Sequence, residues 1–388
     1  MKLILRLIAG IVAGILIGYL APEFISRAFI TFRAVFGQFI SYTIPLIILF
    51  FIMSGIASLR SGAGRALGVT VAASYGSTVC AGLLAFVIAD VVVPHMLSSA
   101  GALVSESPGL EPFGFADKLT IPPAMDIMTA LVTAFLFGIG ISTLKLDALK
   151  GIVDQGKDVV ELALTRILIP FLPLYICGVF VALTVDGTVF ATLRTFGLVL
   201  AMALCLHWLW LIILYTVAGL ITGRNPVVML KNMLPAYFTA VGTMSSAATI
   251  PVTLERTKSN GVDEHIADFS IPLCATIHMS GSVVTITTCA TAVVFLTGGA
   301  VPDFSTMVTF VALLGVTLIA SPGAPGGSIM ASLGLLSSVL GFGEPLIALM
   351  IALYIAQDSF GTACNVTGDG AIASVVEKMA LPKKAGDH

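Results

Sequence analysis

The stretch QDSFGTACNVTGDGAIASVV, residues 357–376, decides how this chain is read. It is apolar enough for a membrane helix, yet it carries Asp358, Thr362, Asn365 and Asp369 at offsets of 0, 4, 7 and 11. At about 100° per residue these side chains fall within roughly a 60° arc of one helix. Two carboxylates on one stripe are expensive in lipid, so the stripe is expected to face a cavity that holds a ligand.

The rest of the chain supplies the membrane context. Of 388 residues, 57% are hydrophobic and only 10% charged, with a mean hydropathy of +1.06. A soluble protein carries about 25% charged residues. Apolar runs of the roughly 20 residues needed to span a bilayer recur along the chain, which makes it an all-α polytopic membrane protein. The net charge of −2 comes with no basic patch, so no nucleic-acid partner is expected. Cys80, Cys177, Cys205, Cys274, Cys289 and Cys364 are scattered without metal or redox spacing and read as small buried hydrophobes. The opening MKLILRLIAGIVAGILIGYLA has the positive flank of a secretory leader. Its apolar run is long and further spans follow, so a retained first helix is expected.

Spans are expected at 3–21, 35–59, 68–93, 124–144, 149–184 and 193–222, then at 264–297 and 345–380. Hairpins are expected at 225–257 and 303–341. The fifth span begins amphipathically, with Asp147, Lys150, Asp154, Lys157, Asp158 and Glu161, as a helix does when it runs along the interface before diving. With the N-terminus in the cytoplasm, the lysines and arginines at span ends fall inside, except Arg27, Arg33, Lys118 and Arg194. Arg166, deeper in the fifth span, reads as a snorkelling side chain. The bias holds only if each hairpin enters and leaves on one side, so both are expected to be re-entrant and both termini cytoplasmic.

The hairpin tips agree. TMSSAATIPVT (243–253) and ASPGAPGGSIM (320–330) place Gly, Pro and Ser at mid-membrane depth, where broken helix is tolerated only inside protein or beside a water-filled cavity. A third break is expected at TIHMSGS (276–282). Paired broken helices mark the substrate site of many secondary transporters. Asp358 can pair with an ammonium group, and Thr362 and Asn365 offer hydrogen bonds. Ser245, Ser246 and the free N–H groups of the tips suit an anionic group. A zwitterion fits this set best.

These residues resemble the dicarboxylate/amino acid:cation symporter family, and nearly the whole chain takes part. SSAATIPVT, GAPGG and NVTGD (365–369), in that order, carry the resemblance. It implies eight transmembrane helices, two re-entrant hairpins and inverted repeats in a homotrimer. The scaffold would comprise 1–60 and 124–190, and a transport domain of 61–95 and 191–380 would move as an elevator with the second hairpin as outer gate. It also implies roles. Asp358 would hold the substrate amine, Asn365 and Ser246 its α-carboxylate, with Ser245, Thr362, Gly361 and Gly326 lining the site. Na⁺ would be held by Asn365 and Asp369 with the region of Thr276, His278, Met279 and Ser280, and by Tyr75 and Thr78 of the third span. Hard oxygen donors suit that ion. No organic cofactor is implied.

Departures from the family pattern narrow the substrate. Acidic amino acid carriers of the family have arginine three residues after the position of Asp358, where this chain has Gly361, and Met244 restores no charge. A second substrate carboxylate would lack its guanidinium partner, so a small neutral amino acid is favoured over an acidic one or a dicarboxylate. The family's N-M-D-G reads His278, Met279, Ser280, Gly281 here. One cation site thus lacks its carboxylate, and the sodium stoichiometry is expected to be reduced. His278 either couples protons or fills the asparagine's space as a neutral hydrogen-bonding residue. His207, beside Trp208 and Trp210, reads as structural.

The expected function is ion-coupled symport of a small amino acid in the plasma or inner membrane. The alternatives are a proton-coupled acidic amino acid or dicarboxylate carrier and a non-transporting, receptor-like relative. A channel would need a polar path along several helices, and no nucleophile–base pair supports an enzyme.

Overall fold

The computed structural model describes residues 2–58, 65–97, 110–116, 118–296, 301–319, 321 and 326–380. Among them the fold is helical, with no strand. Of the GAPGG tip only Gly326 and Gly327 are described; Arg60, Lys383 and Lys384 of the charge pattern lie outside the described residues. The helices run α1 (Lys2–Leu20), α2 (Glu23–Ile47), α3 (Met53–Ser58), α4 (Arg65–Leu97), α5 (Ile127–Leu144), α6 (Asp147–Ala163) and α7 (Ile169–Val185). Then come α8 (Val189–Thr222), α9 (Pro226–Thr243), α10 (Ser246–Ser259), α11 (Glu264–Ile277), α12 (Ser280–Leu296), α13 (Phe304–Ile319), α14 (Gly327–Ser338) and α15 (Glu344–Ala380).

Six helical runs among the described residues are long and apolar enough to cross a membrane: Glu23–Ile52, Ala66–Met96, Asp147–Val185, Val189–Thr222, Glu264–Phe295 and Glu344–Ala380. The chain is a multi-pass membrane protein. Two π-helical turns, Ile48–Ile52 and Leu164–Leu168, join α2 to α3 and α6 to α7. The second adjoins Pro170, which lacks the N–H that the Arg166 carbonyl would otherwise accept.

The second span begins at Glu23 and not near 35. Pro22 precedes its first turn, and its arginines do not end it. Arg27 lies over the Phe113 ring at 5.1 Å and donates to Pro112 O at 3.4 Å, so its charge is met without breaking the helix. The polar start of the fifth span is also helical. Lys150 pairs with Asp154 at 2.6 Å, and Ser54 of α3 donates to the same carboxylate at 2.7 Å.

α1 shows how packing replaces the hydrophobic effect in lipid. Leu5, Ile8, Val12 and Leu16 are exposed along one face. Gly10, Gly14 and Gly18 lie on the opposite face, against α7. A Cβ at Gly10 would stand 2.5 Å from Pro173 O, and one at Gly14 2.6 Å from Cys177 O. Without a solvent penalty to drive helices together, such close backbone approach holds them through dispersion.

α9 and α10 fold back on each other. Asn232 of α9 donates to Asn260, just past α10, at 2.9 Å, and Asn260 donates to Met229 O at 3.1 Å. The most apolar stretches of Glu264–Phe295 and Glu344–Ala380 are 100% and 83% buried, against 44% for Ala66–Met96 and Val189–Thr222. Polar side chains are therefore affordable in α11, α12 and α15, which other helices enclose.

Gly14→Val is expected to wedge α1 from α7 and lower stability by about 1–3 kcal/mol, the usual cost of overpacking. Thermal unfolding in detergent checks this against Gly140→Ala, where a Cβ meets nothing within 4 Å.

Candidate functional site

α15 runs unbroken through the stripe, and Asp358, Thr362, Asn365 and Asp369 are all buried. Its polar atoms meet two interrupted segments. α11 ends at His278, whose backbone is extended (φ −96°, ψ 101°), and the helix restarts at Ser280. A restarting helix has N–H groups with no carbonyl to reach. Two of them, on Gly281 and Ser282, donate to Asn365 Oδ1 at 2.7 and 3.3 Å. The Asn365 amide then donates to Ser282 Oγ at 3.0 Å and to Met279 Sδ at 3.6 Å.

The second hairpin repeats this at Asp358. Gly326 holds φ +80°, a conformation suited to glycine, and its N–H donates to Asp358 Oδ2 at 2.7 Å just before α14 begins. The Tyr354 hydroxyl lies against the same carboxylate and also donates to Ser282 Oγ at 3.4 Å. Ser328 donates to that oxygen at 3.5 Å. Backbone N–H groups at the starts of α12 and α14 thus converge on one stripe of α15, the arrangement that receives a small ligand's charged ends.

Asp369 is engaged by His278, with Nδ1 2.9 Å from Oδ1, and His278 Nε2 lies 2.9 Å from Ser77 Oγ of α4. Met279 N donates to Thr78 Oγ1 at 3.2 Å, so the break is also tied to α4.

The other expected residues are placed less centrally. Met244 takes a left-handed conformation (φ 54°) that ends α9, and Ser245 caps α10 by accepting from Ala248 N at 3.3 Å. Ser246 opens α10 half-buried; among the described residues neither serine is hydrogen-bonded to the stripe. Thr276 is exposed and donates to Leu273 O at 2.7 Å. The Tyr75 hydroxyl donates to Ala312 O of α13 at 3.0 Å, and buried Ser280 makes no hydrogen bond to Asp369 or Asn365. Gly361 faces α12: a Cβ there would lie 3.3 Å from Thr285 Oγ1, and the Gly361 carbonyl would stand 2.3 Å from a Cβ at Gly281.

Sequence reasoning missed Tyr354, Ser282, Ser328 and Ser77, and took His207 as structural. Tyr354 had a signal, since it precedes Asp358 by one helical turn and extends the stripe. His207 is fully buried in α8, with Nε2 2.9 Å from Thr285 Oγ1 and 3.1 Å from Gly281 O. Nothing local in the sequence joins it to Gly281 or Thr285.

Sodium requires several oxygen donors at once, and the side-chain donors expected around Asp369 are engaged within the protein. Asn365 Oδ1 accepts two N–H groups and Thr78 Oγ1 accepts one. A ring nitrogen faces Asp369, and Thr276 and Tyr75 are bonded elsewhere.

Comparison with known proteins gives a consistent picture. Residues 3–379 match the sodium:dicarboxylate symporter family. The chain is 28% identical over 276 residues to excitatory amino acid transporter 1 of Mus musculus, which covers 68% of this chain and 50% of that protein. It is 30% identical over 253 residues to serine/threonine transporter SstT of Acinetobacter baumannii, covering 63% and 62%. The matched regions thus span about half and about three fifths of these relatives' lengths.

Asn365→Leu keeps the side-chain size but leaves the Gly281 and Ser282 N–H groups without an acceptor. A loss of about 1–3 kcal/mol per orphaned group is expected. An unchanged melting temperature would mean that the start of α12 is satisfied from elsewhere.

Proposed function

The chain belongs to the sodium:dicarboxylate symporter family, whose members are transporters and not enzymes, and on that footing we propose that it imports a small neutral amino acid such as serine or threonine. Import is coupled to a cation gradient, with Na⁺ the ion given by the family's name. The observation that carries this reading is the neutrality of the stripe's surroundings. Among the described residues, Asp358 and Asn365 are met by backbone N–H groups, hydroxyls and a thioether, and by no lysine or arginine. A zwitterion's ammonium group has Asp358 to pair with, and its carboxylate has the Asn365 amide and the helix starts. A second carboxylate would have no cation. Of the two relatives, the serine/threonine transporter agrees with this chemistry better than the excitatory amino acid transporter.

Asp358 accepts the Gly326 N–H as well as facing the site. An arriving ammonium group therefore shares a carboxylate with the tip of the second hairpin, and substrate and tip position are coupled through one side chain. The wider architecture follows the family reading. It has eight spans with α9–α10 and α13–α14 as re-entrant hairpins, and a scaffold of 1–60 and 124–190. A transport domain of 61–95 and 191–380 moves as an elevator within an inner-membrane homotrimer whose termini are cytoplasmic. The glycine-mediated contact of α1 with α7 supports the first body, and the packing of α12 on α4 and α15, and of α15 on α8 and α9, supports the second.

Proteoliposomes loaded without Na⁺ test the reading. Labelled serine or threonine is expected to accumulate with an inward Na⁺ gradient, and aspartate is expected to compete poorly. Asp358→Asn should cut uptake about 10–100-fold, as loss of a charge-assisted hydrogen bond does. Absence of uptake across neutral and acidic amino acids, in Na⁺ and pH gradients alike, would overturn symport.

Specificity has a separate test. Because Thr285 crowds position 361, Gly361→Arg combined with Thr285→Ala is expected to admit aspartate as a competitor where Gly361→Arg alone does so weakly. If neither variant binds aspartate, position 361 does not face the substrate.

A further inference from the structure

The group facing Asp369 is the ring of His278, and that ring is held on three sides. Nδ1 lies 2.9 Å from Asp369 Oδ1, and Nε2 lies 2.9 Å from Ser77 Oγ. Its third side rests on α15, where a Cβ at Gly368 would stand 2.6 Å from His278 Cε1. Asp369, His278 and Ser77 are all buried. Three elements, α4, the α11–α12 break and α15, are thus closed around an imidazole. The nearby oxygens are used internally: Asn365 Oδ1 takes the Gly281 and Ser282 N–H groups, and Thr78 Oγ1 takes the Met279 N–H.

A buried carboxylate needs a partner, and either a bound cation or a fixed side chain can serve. We propose that the His278 imidazole stands where a coupling cation would be held, so that this chain carries its substrate without an ion at Asp369. The expectation of a cation there rests on the family reading; the closure of the space by the ring rests on the contacts alone. Gly368 is part of the device, since a side chain at that position would displace the ring from Asp369. The carrier therefore has a built-in substitute for one ion and uses fewer ions per cycle than a relative with an oxygen cage there.

The test compares wild type, His278→Asn and Asp369→Asn, purified as full-length protein in detergent. Melting temperature is followed as NaCl replaces choline chloride at constant ionic strength. In choline, His278→Asn is expected to melt below wild type, because Asp369 has lost its partner. Na⁺ should then raise its melting temperature by about 2–4 °C more than it raises that of wild type, as ligand binding to the folded state does. Asp369→Asn is expected to leave the wild-type Na⁺ response unchanged. In uptake, His278→Asn should depend on Na⁺ more steeply than wild type.

Equal Na⁺ responses in wild type and His278→Asn overturn the proposal. So does a wild-type response that vanishes in Asp369→Asn, a comparison that does not need the histidine variant to fold. The melting measurement requires no amino acid transport, so a failure of symport and a failure of this inference give different results.

Discussion

A helix that starts inside a membrane protein leaves N–H groups that lipid cannot satisfy, and each must find an acceptor. Here α15 supplies the acceptors. Asn365 Oδ1 takes two N–H groups at the start of α12, and Asp358 takes the Gly326 N–H before α14. These contacts explain why α15 stays unbroken while its neighbours do not. A continuous rod carries the side chains at fixed height and spacing, and the interrupted helices begin where those side chains are. The polar stripe that looks costly in a lone lipid-facing helix is, in the folded chain, what allows the other segments to break.

On the proposed reading, the same contacts would make the site sensitive to its own ligand. Asp358 has lone pairs beyond the one the Gly326 N–H uses, so on that reading an ammonium group could join without displacing that tip, whereas Asn365 Oδ1 already accepts two N–H groups. The tip residue Gly326 and the ammonium group of a substrate would share one carboxylate. Occupancy would then reach the second hairpin directly, with no need for a chain of intermediate residues.

Much of this was legible in the sequence because it depends on local rules. The stripe follows from helical periodicity, the break at His278 from Gly281 and small polar neighbours, and the long apolar runs from composition. What escaped was set by contacts between distant segments. The second span was expected from 35, with Arg27 and Arg33 on the outer side, yet Glu23–Ile47 is helical, and Arg27 finds Phe113 and Pro112 far along the chain. The ring of His278 could be read as titrating or as filling space, but its grip on both Asp369 and Ser77 needs three elements to meet. The four-residue spacing of Gly10, Gly14 and Gly18 was a readable signal of a close helix contact; its partner, α7, was not.

Gly361 shows why the missing residue matters in two ways. Absence of a guanidinium removes the counter-charge for an acidic substrate. The Gly361 backbone also packs closely on α12: a Cβ at Gly281 would stand 2.3 Å from the Gly361 carbonyl, and a Cβ at 361 would stand 3.3 Å from Thr285 Oγ1. Gly281 is the residue whose N–H Asn365 accepts, and His207 and Thr285 close the space on its far side. A longer side chain at 361 would push against the seam that positions Asn365. On the proposed reading, specificity and the packing of the break are one constraint, and a change of substrate class would require the α8–α12 side of the seam to change with position 361.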